Sequence, residues 1–389
     1  MSFEFATATR MVFGWGSLKE AAPAAVQAAG IRGGKDVLVV SGPRFQAVHP
    51  LFNQLKDAGL QPLGFAFGGE PTLTTIANGV KFARKNRSVV IIGLGGGSAI
   101  DAAKAIAAMA TNPGELLDYL EVIGRGKPLT RPSLPCIAIP TTAGTGAEVT
   151  RNAVLSSPEH RVKVSLRSPM LLPVLAIVDP ALTYDLPPAV TASTGLDALT
   201  QLIEAYVCTR ANPMTDGFCV DGIQRAIEAL PRAYRDGHDS EARDDMCLAS
   251  LFGGLALANA GLGAVHGFAG PLGGMFSAPH GAVCAALLPH VMAANVRALR
   301  QRQPQSRHLA RYNLVAEMVA QQEGATTDQA IAHIRQLCSD LAIPPLRTYG
   351  VTAFDIPTLV EKAQAASSMK ANPIVLTNEE LSEVLENAI

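Results

Sequence analysis

Ser88-Val-Val-Ile-Ile-Gly-Leu-Gly-Gly-Gly-Ser98, running on into Ala99-Ile-Asp-Ala-Ala-Lys-Ala-Ile-Ala-Ala-Met-Ala110, is the stretch on which the fold turns. Its first residues are apolar, short in extent and β-branched, the composition of a strand buried on both faces of a parallel sheet. The alanine-rich spacing from Ala99 to Ala110 predicts a helix directly behind that strand. Between the two, glycines at 93, 95, 96 and 97 let the backbone turn sharply and approach a ligand closely. The amides of Gly96, Gly97 and Ser98 would then open the helix and face outward, where unpaired N–H groups and the helix dipole together favour an anion. A dinucleotide pyrophosphate is the natural occupant. A tight turn without ligand is the alternative, because the loop lacks the last glycine of the usual fingerprint and follows a later strand than the first.

The same alternation extends outward. Asp36-Val-Leu-Val-Val40, Leu134-Pro-Cys-Ile-Ala-Ile139 and Val174-Leu-Ala-Ile-Val178 read as further strands, and Leu73 to Asn86 as a helix. Strand–helix alternation predicts an α/β domain with a doubly wound, mostly parallel sheet. A second polar loop, Ile139-Pro-Thr-Thr-Ala-Gly-Thr-Gly-Ala-Glu148, also follows a strand. Its hydroxyls at Thr141, Thr142 and Thr145 suit ribose and phosphate oxygens, or alternatively a hydrogen-bonded turn that caps a helix. After Asp185-Leu-Pro-Pro188 the pattern becomes helical, over roughly 192–206, 213–234, 241–258, 282–296, 309–322, 327–341 and 356–368. The expected organisation is a nucleotide-binding α/β domain over 1–187 and an all-helical metal and substrate domain over 188–389.

The chain has 389 residues, enough for two domains with separate cores. With 48% hydrophobic and 17% charged residues it suits a soluble, well-buried enzyme. A net charge of −1 gives no electrostatic reason to expect nucleic acid or an anionic membrane as partner. The basic run from Arg297 to Arg311 reads as a solvated helix face. The six cysteines are widely spaced without a CxxC pair, and the plain reading is small buried hydrophobes in a reducing, cytoplasmic setting. The N-terminus shows neither the basic nor the apolar region of a signal peptide.

From Met246 to Val296 no Asp, Glu, Lys or Arg occurs, yet His266, His280 and His290 fall there. The stretch is too rich in Gly, Ala and Pro for a lipid-facing helix. His266 and His280 are each followed by glycine. Upstream, Asp197 and Gln201 stand four apart in Gly195-Leu-Asp-Ala-Leu-Thr-Gln201 and share one helical face. Together these four look like a metal site assembled from separate segments. Histidines satisfied within the core are the plain alternative.

In this order, Gly95-Gly-Gly-Ser-Ala-Ile-Asp-Ala-Ala-Lys104, Pro140-Thr-Thr-Ala-Gly-Thr-Gly-Ala-Glu148, Gly195-Leu-Asp-Ala-Leu-Thr200, His266-Gly-Phe-Ala-Gly-Pro-Leu-Gly273 and Pro279-His-Gly281 resemble the iron-containing (group III) alcohol dehydrogenase family. The resemblance implies a dehydroquinate synthase-like architecture, an α/β nucleotide domain followed by a helical metal domain. It places Gly96, Gly97 and Ser98 at the pyrophosphate, Thr141, Thr142 and Thr145 in the second nucleotide loop, and Asn152 and Lys163 near the nicotinamide ribose. By itself, Lys163 reads equally well as a surface lysine on a strand. The family's metal is held by an Asp, a His four residues later and two further His. Asp197, His266 and His280 match three of these, and Gln201 stands at the fourth, where its neutral carbonyl oxygen is a weaker donor than imidazole. Gly270 stands where the family often carries another histidine.

The resemblance implies an NAD- or NADP-dependent enzyme, a homodimer, that interconverts a small alcohol and its aldehyde or ketone. Asp197, His266 and His280 would be the catalytic residues, joined by Gln201 around Fe2+ or Zn2+. A metal-independent reductase like the related maleylacetate reductases is the alternative, with His266 or His280 donating to the developing oxyanion. A dehydroquinate synthase-like lyase is disfavoured by the charge-free stretch, which offers nothing to a phosphorylated substrate. A non-catalytic nucleotide-binding protein draws support only from Gln201 and Gly270. Gly42, in Val40-Ser-Gly-Pro-Arg44, stands where NAD-preferring members often carry Asp, so NADP is admitted and Arg44 could assist. Phe268, Leu272, Met275 and Phe276 are the expected lining of a pocket for small apolar substrates.

Overall fold

The computed structural model describes residues 2–43 and 50–389, so Arg44 lies outside the described residues. The chain forms two units, one comprising Phe5–Thr142 and Gly146–Tyr184, the other built mainly from Asp185–Ile389 with the short stretch Ala143–Thr145.

The α/β unit contains β1 (Met11–Phe13), α1 (Ala21–Arg32), β2 (Asp36–Ser41), α2 (Pro50–Asp57), β3 (Gln61–Ala66), α3 (Leu73–Lys85), β4 (Val90–Gly95), α4 (Gly97–Thr111), β5 (Cys136–Pro140), β6 (Asn152–Ser157), β7 (Val162–Arg167) and β8 (Leu175–Val178). Six strands form one sheet in the order β1-β8-β5-β4-β2-β3, parallel at every pairing, while β6 and β7 make a separate antiparallel hairpin. The expected doubly wound, mostly parallel sheet is therefore present. Its logic is the two-residue alternation of side chains. Leu38, Val40 and Ile91 face a core with α3 and α4, whereas Val37, Val39, Val90, Ile92 and Leu94 face a core with α1 and α2. Each such side chain contributes about 1.5–3 kcal/mol on burial, so runs this apolar require cover on both faces.

β3 escaped the sequence reading because Gln61-Pro-Leu-Gly-Phe-Ala66 carries Pro and Gly and is half-exposed. It is an edge strand, the place in a sheet where both residues are tolerated. β2 lies between β3 and β4, so the chain leaves β2 on one side and returns on the other. Such a reversal opens a crevice beyond the carboxyl ends of the two strands.

The helical unit contains α5 (Pro188–Val207), α6 (Pro213–Arg235), α7 (Ser240–Asn259), α8 (Ala264–Met275), α9 (His280–Arg302), α10 (Arg307–Ala320), α11 (Thr327–Asp340), α12 (Ile356–Ala365) and α13 (Asn378–Ala388). Proline at the first turn starts α5 and α6, and a reciprocal Asn212–Thr215 capping box fixes the entry to α6. α9 is long and apolar enough to cross a membrane, but 78% of that window is buried within the protein, as in a core helix. The arginines between 297 and 311 are not a merely solvated face. Arg297 pairs with Glu383, Arg302 with Glu380, and Arg311 with Asp216 while stacking on Tyr206. α8 and α13 were not anticipated. α8 carries Gly267, Gly270, Pro271, Gly273 and Gly274, so packing against α9 and α12 overrides its poor propensity.

Candidate active site and nucleotide crevice

Gly95 adopts φ +148°, a conformation reserved for glycine, and a Cβ there would also lie 2.8 Å from Ala99 Cβ. Gly96, extended at φ −71° and ψ −176°, caps α4 without a side chain, so Gly97 and Ser98 lead the helix with amides that have no helical acceptor. Thr141 donates its amide to the Gly95 carbonyl at 3.0 Å, and the Thr142 hydroxyl lies 3.3 Å from where a Gly96 Cβ would stand. A crevice lined by Gly42, Pro43, Phe67, Gly69, Gly95, Gly96, Ser98 and Ala99 sits at the switch point between β2 and β4. Thr145 groups with the helical unit.

Behind this loop, α4 buries Lys104 completely. Its ammonium lies 2.9 Å from Asp101 Oδ1, donates to the Ala147 carbonyl at 2.9 Å and the Thr150 hydroxyl at 3.0 Å, and also donates to the Asn152 carbonyl. Asp101 Oδ2 accepts the Val154 amide at 3.0 Å. One buried cation thus ties α4 to the chain that follows the second polar loop. Lys163, on β7, is no surface lysine: its side chain is 5% exposed and its ammonium reaches Glu70 at 3.0 Å.

In the helical unit, α5, α8 and α9 bring one cluster together. Asp197 Oδ1 lies 3.4 Å from His266 Nε2 and 3.7 Å from His280 Nε2. Cys284 Sγ lies 3.9 Å and 3.8 Å from the same two nitrogens. All four groups offer a ligand atom within 4.8 Å of the others. Among the described residues, buried Asp197 Oδ1 accepts no hydrogen bond of good geometry, a costly state for a carboxylate oxygen and one that a cation relieves. Two imidazole nitrogens, a carboxylate and a sulfur are also the donors that first-row metals take.

The electrostatics agree. Burial alone would raise Asp197, but His280 and His266 hold its carboxyl below the usual carboxylate range. Burial opposes charge on both rings, yet Cys284 and Asp197 raise His266 and His280 above the ordinary imidazole range, with Glu204 adding to the effect on His266. This pocket demands positive charge.

The supports of the cluster were invisible in the sequence. Glu204, two turns beyond Asp197 on α5, has a 5% exposed side chain, and its Oε2 lies 2.7 Å from His266 Nδ1. Its Oε1 accepts the Val265 amide at 2.8 Å. Asn372 accepts the Ala264 amide at 3.0 Å, so two side chains satisfy the first amides of α8. Gly263 makes room for them, since a Cβ there would lie 2.7 Å from Glu204 Oε1.

Gln201 is buried, and its Nε2 donates to the Gly144 carbonyl at 2.8 Å. Cys284 is more than a plain buried thiol, and its spacing of four from His280 is the readable signal of a shared helical face. His290 does not join the cluster. Phe268 and Leu272 are fully buried in the core and present no surface to a substrate, which corrects the expected pocket lining.

The family model described as iron-containing alcohol dehydrogenase matches residues 8–180, and the C-terminal model of the same family matches 191–389. The chain is 39% identical to alcohol dehydrogenase 4 of Saccharomyces cerevisiae over 82% of its own length and 80% of that protein's. It is 35% identical to 1,3-propanediol dehydrogenase of Citrobacter freundii, with 92% of each chain covered. A crystal structure of a 1,3-propanediol oxidoreductase superposes over 100% of both chains with a TM-score of 0.90 at 34% identity. The chain belongs to the iron-containing alcohol dehydrogenase family and is an NAD(P)-dependent alcohol dehydrogenase, moving hydride between a nicotinamide and an alcohol–carbonyl pair.

Proposed function

We propose that Asp197, His266 and His280 hold a catalytic divalent metal, and that the crevice at Gly95–Ser98 takes the dinucleotide pyrophosphate. The observation that carries the metal reading is the buried, unpartnered Asp197 Oδ1 between two imidazole nitrogens. A bound divalent ion supplies Lewis acidity at the substrate oxygen, worth several kcal/mol of transition-state stabilisation. The protein's own residues do the rest. Asp197 offsets the ion's charge, and Glu204 fixes the His266 tautomer so that Nε2 is free to ligate. Gly96, Gly97 and Ser98 present amides to the pyrophosphate, with Thr141 and Thr142 beside them. Thr145, Asn152 and Lys163 position the ribose and nicotinamide end. During oxidation the alcohol carbon gives hydride to the nicotinamide and its hydroxyl gives up a proton.

Gly42 lines the crevice where a carboxylate would repel a 2′-phosphate, so the site admits NADP as well as NAD. The substrate is a small aliphatic alcohol, in keeping with the relatives named for propanediol and methanol and with the charge-free stretch that carries both histidines. Metal analysis of protein purified without chelator, with NAD(P)-linked turnover of short alcohols before and after EDTA, tests the reading. Near-stoichiometric metal and EDTA-sensitive turnover support it. Full turnover in metal-free protein overturns it and leaves a histidine as the proton donor.

A further inference from the structure

We infer that Cys284 is the fourth ligand of this metal, as a thiolate, in place of an imidazole at position 201. The inference rests on the metal-bound reading of the cluster. Cys284 lies one turn after His280 on α9, so both side chains project from one face. Its sulfur is 3.8 Å and 3.9 Å from the two imidazole nitrogens, which are themselves 3.7 Å and 3.4 Å from Asp197 Oδ1. Ligand bonds of about 2.0–2.3 Å around a tetrahedral ion set neighbouring donors about 3.3–3.6 Å apart. These four separations lie within a few tenths of an ångström of that spacing, and every pair of donors lies within 4.8 Å.

Two further observations favour sulfur over Gln201. The Gln201 amide is committed through Nε2 to the Gly144 carbonyl, and its remaining oxygen is a neutral, weak donor. The second is donor charge: at a site where Asp197 is 3% exposed, an anionic sulfur attracts a divalent ion more strongly than the neutral carbonyl oxygen of Gln201. Among the described residues, no other cysteine joins such a cluster. The donor one turn beyond Asp197 on α5 has thus been exchanged for a donor one turn beyond His280 on α9. Sulfur also softens the set, favouring zinc.

Cobalt(II) loaded into the metal-stripped full-length protein tests this without relying on turnover. The wild-type protein should bind about one cobalt and show an intense near-ultraviolet sulfur-to-cobalt charge-transfer band. Cys284→Ser should lose that band and bind cobalt at least about tenfold more weakly in competition with a chelator. Cobalt binding without the band in the wild-type protein, or a band that survives in Cys284→Ser, overturns the assignment of Cys284 and leaves the metal site standing. No cobalt uptake by the wild-type protein overturns both. The wild-type spectrum decides even where the variant folds poorly.

Discussion

Glu204 Oε2 lies 2.7 Å from His266 Nδ1, and among the described residues the other partners of this carboxylate are backbone amides, those of Val265 and His266. A carboxylate only accepts, so Nδ1 must carry a proton, and Nε2, facing Asp197 and Cys284, is the nitrogen that gives up its proton when a metal binds. Glu204→Gln keeps the size but turns part of the group into a donor. Metal affinity should fall about 10- to 100-fold, the usual cost of losing a carboxylate behind a ligating histidine. Chelator competition reads it directly. Wild-type affinity in Glu204→Gln would show that the tautomer is set by something else.

Lys104 is a buried cation whose surroundings are three oxygen acceptors and Asp101. Removing one member of such a pair strands the other charge in a medium that cannot solvate it. Lys104→Met should therefore destabilise the protein by about 3–5 kcal/mol. The double variant Lys104→Met/Asp101→Asn should recover much of that loss, because the Asp101 charge is then no longer stranded without its partner. Urea midpoints of the three proteins test both statements, and a single variant within about 1 kcal/mol of wild type would refute the first.

Glu148 lies beside the same lysine. Burial pushes its carboxyl up to about 7, against the lowering pull of its own backbone amide and of Lys104. With the folded value above the unfolded one, the native state holds a proton that the unfolded chain has already released. Stability therefore declines as pH rises from about 4.5 to about 7 and is level above that. The accumulated cost is on the order of 3 kcal/mol. Glu148→Gln should remove this slope and be more stable than wild type at pH 8, with less difference near pH 5. Equal urea midpoints for the two proteins at both pH values would refute it.

The elements that periodicity reveals were those buried on both faces or along a clear stripe: β2, β4, β5, β8 and most of the long helices. β3 hid at an edge, and α8 hid behind its glycines and Pro271, because tertiary contacts there outvote local preference. In the site, Asp197, His266 and His280 were legible, since histidines in a charge-free stretch need partners and each is followed by a glycine. Cys284 and Glu204 were not. A cysteine in an apolar run looks like core, and a lone glutamate on a helix looks like surface, until α5, α8 and α9 are seen to meet. The fold class needed only local pattern, whereas the grouping of these side chains needed the distance between helices.

That distance depends on Gly281. A Cβ there would stand 2.2 Å from the Ser193 carbonyl oxygen, 2.7 Å from its carbon and 3.3 Å from Asp197 Cβ. The obstacle is backbone, so no side chain can swing aside, and α9 would have to move away from α5. Gly281→Ala should therefore cost more than the 1–3 kcal/mol typical of an overpacked core, and should separate His280 and Cys284 from Asp197. Both stability and metal affinity should fall together. Gly270→Ala is the control within the neighbouring helix α8, because apart from its chain neighbours a Cβ there meets nothing within 4 Å. Its stability should change little, since the gain in helix propensity is opposed by the Pro271 ring against the new Cβ, and metal binding should be unchanged. Melting temperature and chelator competition on both variants separate the two cases. If Gly281→Ala bound metal as tightly as wild type, the close approach of α9 to α5 would not be what assembles the site.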